Sequence, residues 1–136
     1  MSIAVRYFTR TGNTKKLADA IAEALGVKAE DLSAPLNDKA DILFLGSSVY
    51  AAGVDPAVKS FIKENAENIG CIVNFSTAAL IRSTYNQVKK AAVDFGIKIA
   101  DEEFHCRGSF AMAHRGRPNE DDLKAAADFA KRIVSA

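Results

Sequence analysis

Six consecutive residues near the N-terminus have the types and spacing of a phosphate-binding loop. The run reads Thr9-Arg10-Thr11-Gly12-Asn13-Thr14, and its three threonine hydroxyls can each donate a hydrogen bond. Gly12 permits a positive φ and a close backbone approach, and the start of a helix adds unpaired N–H groups and a positive dipole end. These donors suit a phosphomonoester better than a nucleoside triphosphate, whose outer phosphates normally need a lysine. The loop therefore predicts a mononucleotide-binding site.

The segments on either side of this loop support the same prediction. Residues 3–8 form an apolar run that predicts a strand, and an amphipathic pattern from about Asn13 to Leu25, ending at Gly26, predicts a helix. Open α/β sheets bind phosphates at the turn between a strand and the next helix. In another position, a threonine-rich turn would more often be an ordinary helix cap.

The rest of the chain alternates between strand and helix patterns. Apolar runs predict further strands at residues 41–47, 70–76 and about 98–108, and a weaker strand at 27–32. Helices are predicted after the caps Asp55, Ser83 or Thr84, and Asn119. This alternation predicts an α/β protein whose parallel sheet is covered on both faces. A chain of 136 residues with 49% hydrophobic content suits one domain, residues 1–136.

Together these features resemble the flavodoxin-like family over nearly the whole chain. The first loop matches the family's Ser/Thr-x-Thr-Gly-x-Thr form, which holds the phosphate of FMN. The resemblance implies a three-layer flavodoxin-like fold, with a five-stranded parallel sheet of order 2-1-3-4-5 and helices on both faces. It also implies FMN as the cofactor, held by three loops at one edge of the sheet. The cofactor-binding residues that it implies are Thr9, Arg10, Thr11, Gly12, Asn13 and Thr14, then Ser47, Ser48, Val49, Tyr50 and Gly53, then Ser76, Thr77, Ala78 and Arg82.

The second and third loops match the family less completely than the first. Tyr50 stands where the family places an aromatic residue that stacks on the flavin ring, although a tyrosine here can equally pack on Pro56 or the sheet edge. The third loop, residues 76–83, lacks the glycine, the acidic residues and the second aromatic of many flavodoxins. A cation from Arg82 near N1 and O2 of the flavin would stabilise its reduced anion and raise the two-electron potential. The alternative is a solvated surface arginine.

Composition and missing motifs argue against several other functions. A formal net charge of +1 provides neither a basic nucleic-acid footprint nor an acidic tail. Cys71 and Cys106 predict free thiols in a cytoplasmic protein, and no apolar run has the length of a membrane span. Neither His105 nor His114 has neighbours at metal-ligand spacing, so no metal site is predicted. The chain also lacks the Gly-x-Gly-x-x-Gly and Gly-x-x-x-x-Gly-Lys-Ser/Thr loops of other nucleotide-binding proteins.

The resemblance implies an electron-transfer flavoprotein that passes electrons between a reductase and an acceptor enzyme. An alternative is an FMN-dependent oxidoreductase acting on a quinone, a porphyrinogen or NAD(P)H, which Arg82 and the cation-rich loop at residues 108–118 favour. The near-neutral charge also counts against a typical carrier, which is acidic enough to dock on basic partners. A third interpretation is a flavodoxin-like module that no longer binds FMN, which the intact first loop disfavours. The oligomeric state stays open.

Overall fold

Parallel strands form the sheet of this computed structural model, which describes residues 1–10, 12–49, 54–78, 83–107 and 116–135. The strands are β1 (Ile3–Tyr7), β2 (Ala29–Asp31), β3 (Ile42–Val49), β4 (Cys71–Ala78), β5 (Lys98–Ile99) and β6 (Phe104–Arg107). Their order is β2-β1-β3-β4-β5, and β6 also pairs with β4. Because the neighbouring strands run parallel, their carboxyl ends meet at one edge of the sheet. The structure confirms the predicted order 2-1-3-4-5.

Within the described residues, four α-helices cover the two faces of this sheet, namely α1 (Asn13–Leu25), α2 (Pro56–Glu64), α3 (Tyr85–Asp94) and α4 (Glu120–Ser135). On one face, α1 and α4 pack on a core that contains Leu17, Phe44 and Phe75. On the other face, α2 and α3 pack on a second core that contains Leu43 and Leu45. The side chain of Phe44 points to one face and those of Leu43 and Leu45 point to the other, because successive residues of a strand alternate between the two faces. The three predicted layers are therefore present.

The first and last helices begin and end as their sequences predict. Gly26 ends α1 in the left-handed region, with a φ of 71°, where glycine carries little penalty. Asn119 caps α4, because its side-chain oxygen accepts the N–H of Asp122 at 3.0 Å. The carboxylate of Asp122 in turn accepts the N–H of Asn119 at 2.8 Å, so the two residues form a reciprocal cap.

The central strands extend further than the sequence pattern predicts. Pairing between β3 and β4 continues through Ser47 with Ser76, Ser48 with Thr77, and Val49 with Ala78. The predicted strands end at Ser47 and Ser76, so Ser48, Val49, Thr77 and Ala78 were expected in loops. The structure shows that they are strand residues, since their backbone groups keep the ladder while the hydroxyls of Ser48 and Thr77 find partners inside the protein.

The predicted fifth strand, residues 98–108, is divided into β5 and β6. The N–H of Ala100 still donates to the carbonyl oxygen of Ile72 at 2.8 Å, and the chain then leaves the sheet until Phe104. This interruption contains Asp101, Glu102 and Glu103, of which the first two are exposed. Carboxylates do not fit a strand covered on both faces, so the interruption keeps Asp101 and Glu102 in contact with water.

The buried side of α4 includes its predicted stripe and extends beyond it. The pattern predicts Leu123, Ala127, Ala130 and Val134, and in the structure Ala130 is buried while Leu123 and Val134 pack against the same core. Ala126 and Phe129 are buried as well. The ring of Phe129 lies against Phe104 of β6, with 5.9 Å between the centroids, so this aromatic contact is the part of the packing that the pattern missed.

A methyl group at Gly46 should destabilise the fold. A Cβ atom there would lie 2.2 Å from the nearest atom of the Phe75 ring, and Phe75 is fully buried. Cores accommodate such overpacking only by straining their side chains, so Gly46→Ala should lower the free energy of unfolding by about 1–3 kcal/mol. Urea denaturation measures this loss.

The matched control is the pair of variants Phe75→Leu and Gly46→Ala/Phe75→Leu. Leucine lacks the ring atoms that meet the new methyl group, so the double variant should lose less free energy than the sum of the two single losses. Strictly additive losses would show that the clash with Phe75 is not the cause.

Candidate functional site

The loop between β1 and α1 turns sharply at Gly12, which has a φ of 90°. The N–H of Gly12 donates to Oγ1 of Thr9 at 2.9 Å, so the first threonine hydroxyl closes this turn. Among the described residues, no atom lies within 4 Å of the position that a Cβ of Gly12 would occupy. The glycine therefore provides both the backbone conformation and open space beside the loop.

Within the described residues, the start of α1 has no capping side chain, unlike the starts of α2 and α4. Asp55 and Asn119 each accept a backbone N–H in the first turn of α2 and α4. The N-cap residue of α3, Thr84, makes no such bond, although Ser83 accepts the N–H of Tyr85 there. In the described part of the chain, no side chain caps α1, and its first turn contains no acidic residue. The amide groups and the positive dipole end of α1 are therefore suited to an anion from outside the protein.

Three hydroxyl groups meet directly behind this helix start. Oγ1 of Thr14 lies 2.9 Å from Oγ of Ser48 and 2.9 Å from Oγ1 of Thr77. All three residues are buried, and Thr14 is 0% exposed. Three hydroxyls contain three protons, and these two contacts use two of them. One proton of the cluster is thus available to a further acceptor.

The exposed side chain of Arg10 connects the first loop to the start of α2. Its Nη2 atom lies 2.7 Å from Oδ2 of Asp55, whose Oδ1 atom accepts the N–H of Ala57. Asp55 is therefore a helix cap, as predicted from its position before Pro56. The hydrogen bond from Ala57, followed by that from Arg10, lowers the pKa of the Asp55 carboxyl below its usual value.

The neighbouring serines of β3 and β4 point to the opposite face of the sheet. Oγ of Ser47 donates to Oγ1 of Thr84 at 2.8 Å, and the N–H of Thr84 donates to Oγ of Ser76 at 3.4 Å. Ser47 and Ser76 thus lie at the start of α3, whereas Ser48 and Thr77 lie at the start of α1. The structure separates these predicted site residues into two groups, because successive strand residues face opposite sides.

Asn74 and Glu103 connect this second group to β6. The side-chain amide of fully buried Asn74 donates to Thr84 Oγ1 at 3.2 Å and to Glu103 Oε1 at 3.3 Å. Glu103 also accepts from the hydroxyl of Ser83, and its Oε2 lies 3.3 Å from Nδ1 of His105. Sequence reasoning did not select Asn74 or Glu103. A polar Asn74 inside an apolar strand was the available signal, because buried amides require partners.

Four residues of the predicted site lie outside the described residues, namely Thr11, Tyr50, Gly53 and Arg82. The backbone of Val49 and Ala78 is described as the last residues of β3 and β4. Asn13 opens α1 and is buried. The described site therefore consists of the first loop and the strand ends beneath it.

Comparisons with known proteins agree with this architecture. A family model described as a flavodoxin domain matches residues 4–90. An uncharacterized protein of Methanocaldococcus jannaschii is 26% identical, and the match covers 90% of each chain. A solved flavodoxin from the domain Archaea has a TM-score of 0.79 at 18% identity, covering 99% of this chain and 97% of its own. Flavodoxin 2 from Bacillus cereus has a TM-score of 0.72 at 18% identity, covering 99% of both chains.

A larger enzyme contains the same fold as one part. Rubredoxin oxygen:oxidoreductase from Desulfovibrio gigas has a TM-score of 0.75 at 15% identity, and the match covers 98% of this chain but 35% of the enzyme.

Within the described ranges, the structure contains no helix that is both long and apolar enough to span a membrane.

The hydrogen bonds that Asp55 accepts from Ala57 and from Arg10 should make stability depend on pH in the acid range. Because the pKa of Asp55 is lower in the folded protein, its charge stabilises the fold above the unfolded pKa of about 3.9. That contribution disappears as the pH falls through the folded pKa. Asp55→Asn, which keeps a good helix cap, should therefore be less stable than the wild type at pH 7.

The stability difference between the wild type and Asp55→Asn should become smaller as the pH falls below about 4. Urea denaturation at several pH values measures it. Asp38→Asn removes a carboxylate of the same charge from an exposed turn and controls for net charge. A stability difference that stays constant from pH 7 to pH 3 would contradict the lowered pKa of Asp55 in the folded protein.

Proposed function

Because the chain belongs to the flavodoxin family, we propose that it is a flavoprotein that binds FMN and transfers electrons between partner proteins. The observation that carries this proposal is the uncapped start of α1 beside Gly12. Capping side chains serve the starts of α2 and α4, and Ser83 accepts the first amide of α3, whereas the start of α1 presents open space among the described residues where the family holds a phosphate. A phosphate monoester has the charge and size for that position.

The phosphate would be held mainly by groups of the first loop. Backbone N–H groups in the first turn of α1 and the hydroxyls of Thr9, Thr11 and Thr14 are the proposed donors, whereas the N–H of Gly12 is used by Thr9. The hydroxyls of Ser48 and Thr77 support Thr14 from behind, because hydroxyls in a chain polarise one another. When both donate to Thr14, the proton of Thr14 points to the phosphate.

Arg10 would contribute a positive charge at the rim of the phosphate site. Its guanidinium is 60% exposed and shares its charge with Asp55, so its attraction for the phosphate is partly neutralised. The contact with Asp55 also fixes the first loop to the segment that leads into α2. We assign Arg10 a positioning role alongside a weak electrostatic one.

The flavin ring would lie over the ends of β3 and β4. The resemblance assigns the second loop, with Val49, Tyr50 and Gly53, to one face of the ring, where Tyr50 would stack. It assigns the third loop, with Ala78 and Arg82, to the pyrimidine edge of the ring. Ser47 and Ser76 act indirectly in this proposal, since their hydroxyl groups fix the start of α3 and thereby the end of the third loop. FMN itself supplies the redox chemistry, and the protein binds and orients it.

The primary experiment is the visible absorption spectrum of the purified protein after addition of FMN and removal of the excess. A flavin spectrum at one FMN per chain supports the proposal, and failure to retain or bind FMN would contradict it. Stepwise chemical reduction then tests electron transfer in single steps. Direct two-electron reduction by NAD(P)H would instead favour the oxidoreductase alternative.

Binding should depend strongly on the phosphate group. Charge-assisted hydrogen bonds contribute about 1.5–3 kcal/mol each, so FMN should bind at least about 100-fold more tightly than riboflavin. Thr77→Val removes one hydroxyl of the cluster but keeps the shape of the side chain. This substitution should weaken FMN binding about three- to tenfold. Calorimetric titration of the apoprotein with both ligands measures these affinities.

Thr77→Ser retains the hydroxyl and is the matched control, which should bind FMN nearly as the wild type does. Riboflavin affinity should be the same in all three proteins, because it has no phosphate. Equal weakening of FMN and riboflavin in Thr77→Val would show that the hydroxyl supports the fold of the site and does not act on the phosphate.

A further inference from the structure

Three consecutive acidic residues lie between β5 and β6, and the last of them differs from the other two. Asp101 and Glu102 are exposed, whereas the side chain of Glu103 is 19% exposed. A carboxylate that leaves water loses hydration energy, which hydrogen-bond partners inside the protein must replace. Its two neighbours show that this connection can keep carboxylates in water. The burial of Glu103 therefore requires a reason of its own.

Polar groups from β4, β6 and the start of α3 converge on the Glu103 carboxylate. The hydroxyl of Ser83 lies 2.9 Å from Oε1 and 3.0 Å from Oε2, and the amide of Asn74 donates to Oε1 at 3.3 Å. Nδ1 of His105 lies 3.3 Å from Oε2. A carboxylate accepts hydrogen bonds on both of its oxygens, whereas a glutamine amide has one acceptor oxygen and a nitrogen that only donates. The site is therefore built for a carboxylate.

These partners lie on both sides of the third loop. Asn74 belongs to β4, which leads into the loop, and Ser83 is the last residue of the loop. The hydroxyl oxygen of Ser83 also accepts the N–H of Tyr85 at 2.9 Å, so its single proton is donated to Glu103. One carboxylate thus connects the strand before the loop to the helix after it.

The backbone that carries Glu103 is held on both sides. The N–H of Ala100 donates to a carbonyl oxygen of β4 at 2.8 Å, and the carbonyl oxygen of Ala100 accepts the phenol hydroxyl of Tyr85 at 3.0 Å. On the other side of Glu103, Phe104 of β6 pairs with Phe75 of β4. The carboxylate is therefore presented to the third loop from a segment that the sheet and α3 already fix.

We propose that Glu103 is a positioning residue for flavin binding, because it holds the third loop in the conformation that receives the flavin ring. The inference rests on the proposed function, in which this loop meets the pyrimidine edge of the ring. It adds a residue from outside the three loops, and Glu103 acts through Ser83 and Asn74 without touching the flavin. A loop that is ordered before binding spares the ligand the cost of ordering it.

Glu103→Gln should weaken the binding of FMN and of riboflavin by the same factor. Glutamine keeps the size of the side chain, but its amide nitrogen cannot accept from Ser83 or Asn74. The apparent affinity falls in proportion to the fraction of binding-competent protein, so a decrease of that fraction to about one tenth weakens both ligands about tenfold. Both ligands contain the ring, so the ratio of their dissociation constants should stay constant. Calorimetric titration of the apoprotein measures both affinities.

Glu102→Gln is the matched control, because it removes the same charge from the neighbouring residue. Glu102 is exposed and contacts Arg132 of α4, so this variant should bind both flavins nearly as the wild type does. The visible absorption bands of bound FMN provide a second measurement, since hydrogen bonds at the ring tune its electronic structure. At saturating FMN, the bands should be altered in Glu103→Gln and unchanged in Glu102→Gln. A role confined to the fold would lower the stability of the apoprotein and leave these bands unchanged.

Ser83 tests the same contact from its other side. Ser83→Ala removes the hydroxyl and should weaken both flavins about three- to tenfold, whereas Ser83→Thr keeps the hydroxyl and should bind as the wild type does. The double variant Ser83→Ala/Glu103→Gln should bind little more weakly than Glu103→Gln alone, because the two residues form one contact. Fully additive losses would show that the residues act separately and would overturn the inference.

The outcomes separate this inference from the proposed function. Failure of the wild type to bind either flavin would overturn both. A wild type that binds both flavins, with affinities and absorption bands unchanged in folded Glu103→Gln, would overturn the inference alone. Weaker binding of FMN with unchanged binding of riboflavin would also overturn it, because the effect would then lie at the phosphate. Urea denaturation shows whether Glu103→Gln is folded, and if it is not, the Ser83 variants decide by the same criteria.

Discussion

The pairing of β3 with β4 through their last residues determines where the polar groups of the site lie. Because the ladder continues to Val49 and Ala78, the side chains before these residues must alternate between the two faces. Ser48 and Thr77 therefore meet Thr14 behind α1, while Ser47 and Ser76 meet Thr84 at the start of α3. One stretch of strand pairing thus supplies polar partners to two helix starts.

This arrangement is stable only if every buried polar group has a partner. An unsatisfied buried hydroxyl or amide costs about 1–3 kcal/mol, a large fraction of the stability of a small domain. The amide of Asn74 meets this requirement through Thr84 and Glu103, and the latter residue lies where the fifth strand is interrupted. The interruption between β5 and β6 and the buried amide of β4 therefore depend on each other. The same contacts fix both ends of the third loop.

Local patterns accounted for most of the fold. The helix from Asn13 to Leu25 and the caps Asp55 and Asn119 follow from residues close together in the chain, and the structure confirms them. The strand order 2-1-3-4-5, which the structure also confirms, was implied by the resemblance to the flavodoxin-like family. The ends of β3 and β4, the division of the fifth strand and the burial of Phe129 did not follow. Each depends on a contact between distant residues, such as Thr14 with Thr77 or Phe104 with Phe129.

The sequence by itself determined the elements, their order and the position of a phosphate loop at the first strand-to-helix turn. These properties depend on local hydrophobic periodicity, capping and glycine placement, which act over a few residues. Only the tertiary structure decided that Ser48 and Thr77 join Thr14, that Arg10 contacts Asp55, and that Glu103 contacts residues on both sides of the third loop. Side chains from different strands become neighbours only when the sheet sets their register, and no local pattern contains that information.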